Sequence, residues 1–203
     1  PPGYARACVC GAEVDQYGVH ALSCAKVNGR SKRHSAANEV IKRGLVAAGI
    51  SAIREPVGLC EDDNRRPDGF TIDMWSRGKS MVWDFTCVHS IAKKHVKHSA
   101  QEVGKAAEQA YKEKLAKYDD LAKEFWVIPV AVETHGAVAI RSLGFIRELG
   151  ARLAAENGDA RSTSFLLQQL SVAVQRGNSA CVRGTVLEGS RYADCWGSDF
   201  SAV

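Results

Sequence analysis

Apolar residues recur along this chain with two spacings, and the change from one to the other predicts a mixed α/β fold. A helical spacing places Ala37, Ile41, Leu45 and Ala48 on one face of a helix over residues 34–49. Shorter apolar runs then predict three strands, over 51–57, 68–74 and 80–88. A turn at 77–79 would join the second and third of these strands as a hairpin.

The second half of the chain goes from helix to strand and back to helix. The longest helical pattern covers residues 98–125, and residues 126–133 are almost wholly apolar, as expected of a strand buried on both faces. Further helices are predicted over 140–156 and 164–176. The predicted order is therefore helix, three strands, helix, strand and additional C-terminal helices.

Composition and charge refine this architecture. A hydrophobic fraction of 45% in 203 residues suits one compact domain with a small appendage. We expect a module rich in Cys, Gly and His at 1–29, the main domain at 30–183, and a poorly ordered Gly/Ser-rich tail at 184–203. The net charge of +4 is compatible with nucleic acid without requiring it. No apolar run approaches the roughly 20 residues that span a bilayer, so we expect no membrane association.

Four candidate metal ligands stand close together near the N-terminus. Cys8, Cys10, His20 and Cys24 would suffice for a closed tetrahedral zinc site. So short a module lacks a core and needs a staple, which favours zinc over three reduced cysteines beside a surface histidine. The seven cysteines of the chain are odd in number and unevenly spread, which indicates a reducing, intracellular compartment rather than a disulfide framework.

Two aspartates carry the candidate chemistry of the main domain. Asp84 lies in an apolar strand, and by alternation it shares a face with Thr86. A carboxylate buried there needs a partner such as a metal ion, although an aspartate at a strand end can also cap a turn. Asp68 opens the preceding strand, and the hairpin would place it beside Asp84. Two such carboxylates can hold a divalent metal for phosphodiester cleavage.

A lysine on the next helix completes this candidate site. Lys114 falls near the centre of an apolar helical stripe, where an ammonium group is costly unless it meets carboxylates or phosphate. The simpler alternative is a lysine that reaches past the core to solvent. Lys117 lies at the edge of the stripe, where contact with DNA and plain solvation are equally supported. Glu55 is either a third acidic ligand or a surface residue.

These features together resemble the restriction-like endonuclease of site-specific non-LTR retrotransposons, a branch of the PD-(D/E)xK nuclease superfamily. The resemblance covers roughly residues 8–180. It rests on Arg33-His34 with Asn38, Arg66-Pro67-Asp68, Asp84-Phe85-Thr86, Lys114-x-x-Lys117-Tyr118 and the Cys/His cluster upstream. The chain departs from the superfamily at Thr86, where a lysine normally stands. In the retrotransposon branch the following helix supplies that lysine, and Lys114 occupies this helix.

The resemblance implies a PD-(D/E)xK core that binds Mg²⁺ or Mn²⁺ at Asp68 and Asp84 and has Lys114, Lys117 and Glu55 as further catalytic candidates. It also implies a nuclear enzyme that nicks one strand of its DNA target. The exposed 3′-hydroxyl would then prime reverse transcription by a polymerase of the same polyprotein. The expected partners are target DNA, the element RNA and the remainder of the reverse transcriptase polyprotein.

Several residues near these elements are candidate contacts to nucleic acid. They are Arg30, Lys32, Arg33, His34, Arg66, Lys93, Lys94 and Tyr118. The basic runs at 30–34 and 93–97 either follow phosphates or are solvated faces. Two other functions stay open, namely a non-catalytic zinc-knuckle module that binds nucleic acid and a repair or recombination nuclease of the same superfamily.

Overall fold

A four-stranded mixed sheet lies at the centre of the computed structural model, which describes residues 6–15, 17–60 and 65–185. In chain order the elements are β1 (Arg6–Ala7), β2 (Glu13–Val14), α1 (Val19–Ser23), α2 (Gly29–Ala47), β3 (Ala52–Arg54), β4 (Gly69–Thr71), β5 (Met81–Val88), α3 (Val96–Ser99), α4 (Lys105–Lys117), a 3-10 turn (Leu121–Lys123), β6 (Trp126–Glu133), α5 (Ile140–Asn157) and α6 (Ser162–Thr185). Strands β3, β4 and β5 are antiparallel neighbours, and β6 pairs with β5 in parallel. The predicted mixed α/β class is confirmed.

The two faces of the sheet pack against different helices. Trp83 and Phe85 of β5 belong to the large core that the sheet forms with α2, α5 and α6. Val82 points the other way and packs with Tyr118 and Leu121, which follow α4. Asp84 contacts Tyr118 on this second face, in agreement with the predicted alternation.

Glycines let α2 and α6 approach each other closely. A Cβ atom added at Gly177 would lie 2.2 Å from the Cβ of Arg33, and one added at Gly29 would lie 2.3 Å from the backbone nitrogen of Cys181. The predicted end of the last helix at residue 176 is therefore wrong, because Gly177 serves helix packing and α6 continues to Thr185.

The single helix predicted over residues 98–125 is also wrong. Gly104 has a φ of +86°, a left-handed conformation that separates α3 from α4. The first helix begins at Gly29, before the predicted start at 34, and β3 and β4 are shorter than predicted. β6 has the predicted bounds, because a long apolar run between turns leaves little choice of where the strand begins and ends.

The tail predicted at 184–203 overlaps the structure only at its start. Residues 184 and 185 belong to α6, and residues 186–203 lie outside the described residues. Over the described ranges, no helix is both long and apolar enough to cross a bilayer.

Candidate active site and metal cluster

The hairpin of β4 and β5 brings Asp68 and Asp84 close together. Gly69 pairs with Trp83 in the antiparallel register, and the backbone nitrogen of Asp68 donates to the Trp83 carbonyl at 3.0 Å. Asp68 Oδ2 accepts a hydrogen bond from the backbone nitrogen of Phe85, the residue after Asp84, at 2.7 Å, and the charge of Asp68 acts on the pKa of Asp84. The structure thus brings the two predicted carboxylates together at one end of the hairpin.

Asp84 is held from the α4 side by a lysine and a tyrosine. Its side-chain Oδ2 lies 2.5 Å from the Lys114 ammonium nitrogen, and its Oδ1 accepts a hydrogen bond from the Tyr118 hydroxyl at 3.1 Å. Asp84 is 4% exposed, whereas the Lys114 side chain is 28% exposed. Among the residues that the structure describes, Oδ2 has no further hydrogen-bond donor, so Lys114 is its partner. Burial, followed by the charge of Asp68, raises the pKa of Asp84, and Lys114 opposes this rise.

Asp68 is held from the α2 side by a histidine. Its Oδ2 accepts hydrogen bonds from His34 Nε2 at 2.9 Å and from the backbone nitrogen of Phe85 at 2.7 Å. Burial alone would raise the pKa of Asp68, but the hydrogen bonds, chiefly from His34, outweigh burial and lower it. The same contact raises the pKa of His34. The pKa of Asp84 is therefore raised and the pKa of Asp68 is lowered, although the two carboxylates lie close together.

Tyr118 supports this site from within, although the sequence suggested that it contacts nucleic acid. It is 0% exposed, and its hydroxyl lies 3.0 Å from the Arg66 carbonyl as well as near Asp84. Lys117 is exposed and donates to the Tyr118 hydroxyl at 3.1 Å. Burial removes Tyr118 from the surface that a nucleic acid could reach, and Lys117 contacts the tyrosine rather than a carboxylate.

Glu55 makes its ion pairs with arginines instead of joining the two aspartates as a third ligand. Its side chain lies 3.0 Å from Arg66 and 3.9 Å from Arg54, and it is about half exposed. Its φ of +51° takes the chain out of the extended conformation at the end of β3. These contacts favour the interpretation of Glu55 as a surface residue. They also occupy Arg66, which was a candidate contact to nucleic acid.

The candidate phosphate contacts divide into buried and exposed residues. Arg33 is 3% exposed and donates to Asn178 Oδ1 at 2.7 Å, so it links α2 to α6 and is not available to a phosphate. Lys94 is exposed but is paired with Glu113 at 3.0 Å. Arg30, Lys32 and Lys93 are exposed at the surface.

A cleft of about 380 Å³ opens beside the two held carboxylates. His34, Thr86 and Lys114 line it, together with residues of the segment 25–31 that links the N-terminal module to α2. Thr86 of β5 is therefore part of the cleft wall, and Lys114 reaches the same space from α4.

The N-terminal Cys/His residues converge on one point. The ligand atoms of Cys8, Cys10, His20 and Cys24 all lie within 4.8 Å of one another. Sγ of Cys8 and Sγ of Cys24 are 3.7 Å apart, close to the about 3.8 Å between two sulfurs bound at 2.3 Å to a tetrahedral zinc. The cysteines are free thiols, so no disulfide explains this proximity. The cluster could hold a zinc ion.

Backbone contacts shape this cluster before any metal binds. Asp15 accepts hydrogen bonds from the backbone nitrogens of Tyr17, Val19 and His20 at 2.8–3.1 Å, which fixes the start of α1 and places His20. Gly11 has a φ of +86° and donates to the Cys8 carbonyl at 2.7 Å, which closes the tight turn around Cys10. The ligands are thus pre-positioned by a short hairpin and a capped helix.

The sequence matches no known protein-family model, and it has no significant match among curated proteins.

The sequence analysis did not predict the structural roles of two residues at the site, Asn38 and Trp83. Asn38 and Trp83 are fully buried and lie behind His34. The signal for Asn38 was a polar residue one helical turn after His34, on the inner face of an amphipathic helix.

Proposed function

We propose that this chain is a metal-dependent DNA endonuclease of the PD-(D/E)xK type that nicks DNA by hydrolysing a phosphodiester. The observation that carries this proposal is the Lys114 ammonium at 2.5 Å from a buried oxygen of Asp84, whose pKa is in turn influenced by the nearby charge of Asp68. A lysine from α4 thus meets one of the two carboxylates, and it lines the same cleft as Thr86, the position at which the superfamily normally has its lysine.

Asp68 and Asp84 are the residues that would hold the metal. Carboxylate oxygens are hard ligands that suit Mg²⁺ and Mn²⁺, and the cleft is lined by His34 and Lys114, the residues that contact these two carboxylates. Once bound, the ion would polarise a phosphoryl oxygen and lower the pKa of a water ligand.

The remaining side chains position these ligands and the substrate. Tyr118 holds Asp84 Oδ1, and Lys114 balances the Asp84 charge and is placed to stabilise negative charge on the phosphate. Exposed Arg30 also lines the cleft, where it would contact a phosphate of the bound strand.

The N-terminal cluster supplies a structural zinc site in this proposal. Zinc bound by Cys8, Cys10, His20 and Cys24 would staple a module too small to have its own core. The module runs directly into α2, which carries His34 to the carboxylates.

The wider role follows from the order of these motifs along the chain. We propose target-primed reverse transcription, in which the nick exposes a 3′-hydroxyl in nuclear DNA for the polymerase of a retrotransposon polyprotein. Target DNA, element RNA and the remainder of that polyprotein are the partners in this scheme. Its support is the resemblance of the ordered motifs, including the Cys/His cluster before α2.

A non-catalytic zinc module that binds nucleic acid is the second candidate function. It is favoured by the Asp84–Lys114 ion pair, because the two charges already satisfy each other without a metal. In that case exposed Arg30, Lys32 and Lys93 would bind phosphates and the carboxylates would serve stability alone.

Nicking of supercoiled plasmid, with Mg²⁺ or Mn²⁺ and with EDTA, distinguishes these functions. Asp68→Asn and Asp84→Asn should each abolish nicking while the protein stays folded, because each removes a metal ligand at constant shape. Asp119→Asn is the matched control, since Asp119 is exposed after α4. Nicking in EDTA, or nicking by Asp84→Asn at the wild-type rate, would refute the endonuclease proposal.

A further inference from the structure

A chain of hydrogen bonds runs from the core to Asp68. The Trp83 indole nitrogen donates to Asn38 Oδ1 at 3.0 Å, and Asn38 Nδ2 lies 3.3 Å from His34 Nδ1. His34 Nε2 then lies 2.9 Å from Asp68 Oδ2. Trp83 and Asn38 are fully buried, so water cannot replace either partner at the inner end of the chain.

The hydrogen bond between Trp83 and Asn38 fixes the orientation of the Asn38 amide. An indole N–H can donate and cannot accept, so the amide oxygen of Asn38 has to face Trp83. The amide NH₂ of Asn38 therefore faces His34. The reversed amide would place two buried donors against each other and leave both without an acceptor, which is strongly disfavoured.

The direction of the amide decides where the imidazole carries its proton. A donor that faces His34 Nδ1 requires an acceptor there, so in the neutral imidazole Nδ1 is unprotonated and the proton is on Nε2. Nε2–H then donates to Asp68 Oδ2. Trp83, although it lies in the core, thereby selects the tautomer of a histidine at the edge of the cleft.

We infer that His34 is a positioning residue for Asp68, held by Trp83 and Asn38 in the Nε2–H tautomer, and not a contact to nucleic acid. This inference rests on the proposed function for the metal that Asp68 would bind. Asp68 Oδ2 accepts from both His34 and the Phe85 backbone, and these two hydrogen bonds fix the orientation of the carboxylate that would bind the ion.

The tautomer can be tested on the full chain without any metal. In protein with ¹⁵N-labelled histidine, two-bond ¹H–¹⁵N spectra distinguish a protonated from an unprotonated ring nitrogen. The signals of His34 are those that vanish in His34→Gln, among the six histidines of the chain. We expect an unprotonated Nδ1 and a protonated Nε2. The opposite tautomer in the wild-type spectrum would overturn the inference.

The positioning role can be tested by rescue with two amides of different length. Gln can place its amide NH₂ where His34 Nε2–H stands, whereas the shorter Asn cannot reach Asp68. We expect His34→Asn to weaken Mn²⁺ binding by about 10-fold or more, as for loss of a hydrogen bond to a metal ligand. His34→Gln should retain most of the Mn²⁺ affinity. Mn²⁺ binding is measured by electron paramagnetic resonance on zinc-loaded protein.

Two further measurements separate the possible failures. DNA affinity in EDTA should be equal for wild type, His34→Asn and His34→Gln. If either variant loses DNA affinity while its Mn²⁺ affinity is unchanged, the inference is overturned and His34 contacts DNA. Wild type that binds Mn²⁺ no better than Asp84→Asn would instead refute the proposed metal site. Mn²⁺ binding that Asp84→Asn abolishes but His34→Asn leaves intact would overturn only the positioning role.

Discussion

Replacing Lys114 by methionine removes a charge from the site and keeps the shape of the side chain. Methionine retains the unbranched stem along α4 and loses the ammonium that lies 2.5 Å from Asp84 Oδ2. Asp84 keeps the Tyr118 hydroxyl at 3.1 Å. The fold should persist, because Lys114 contributes to the edge of the cleft and not to the central core.

The expected loss of activity is large in comparison with the change in structure. Loss of one preorganised electrostatic group costs about 10²–10³ in kcat, equivalent to about 2.7–4 kcal/mol. Lys114→Met should reach at least the lower figure, because the ammonium meets a buried carboxylate where water screens the charge poorly.

The effect of the variant on stability should depend on pH in a defined direction. Burial already raises the pKa of Asp84, and loss of Lys114 raises it further. A carboxyl group with a raised folded-state pKa stabilises the fold below its unfolded pKa, and this contribution is lost as the pH rises through the folded pKa. Wild type and Lys114→Met should therefore be most alike in acid, and the variant should lose more unfolding free energy as the pH rises above the wild-type Asp84 pKa.

Single-turnover nicking and urea denaturation of the same preparations measure both effects. Lys112→Met is the matched control, since Lys112 is an exposed lysine of the same helix, and Lys117→Met should be less harmful than Lys114→Met. Thr86→Lys should restore part of the activity to Lys114→Met, because Thr86 lines the same cleft. A folded Lys114→Met protein that nicks within about threefold of wild type, under ~0.7 kcal/mol, would refute the assigned role of Lys114.

Three further predictions concern the rest of the molecule. Metal analysis should find about one zinc per chain, and Cys24→Ser should lose both the zinc and the folded N-terminal module. A folded module without zinc would contradict the proposed zinc site. Gly177→Ala should cost about 1–3 kcal/mol in urea denaturation, since its Cβ would lie 2.2 Å from a side-chain carbon of α2. Gly144→Ala is the control, because it has open space and should not destabilise. DNA binding through the exposed residues Arg30, Lys32 and Lys93 should weaken steeply with salt and show little sequence preference, whereas tight, salt-insensitive binding to one sequence would contradict this.

Local periodicity was enough to predict most of the secondary structure. β6 has the predicted bounds, and the alternation along β5 placed Asp84 on the face opposite Phe85. Both predictions depend on side chains only a few residues apart. The helix over 98–125 failed for a related reason, because a periodic pattern does not reveal that Gly104 takes a left-handed conformation.

The sequence by itself singled out the candidate site residues, namely the Cys/His cluster, the two aspartates and the lysine of α4. Only the tertiary structure decided what surrounds them. Arg33 and Tyr118 were candidate contacts to nucleic acid, yet Arg33 is bonded to Asn178 of α6 and Tyr118 packs in the core with Val82 of β5. His34 meets Asp68 because α2 crosses the end of the hairpin. Burial and partner choice depend on packing between distant segments, and no pattern within one segment contains that information.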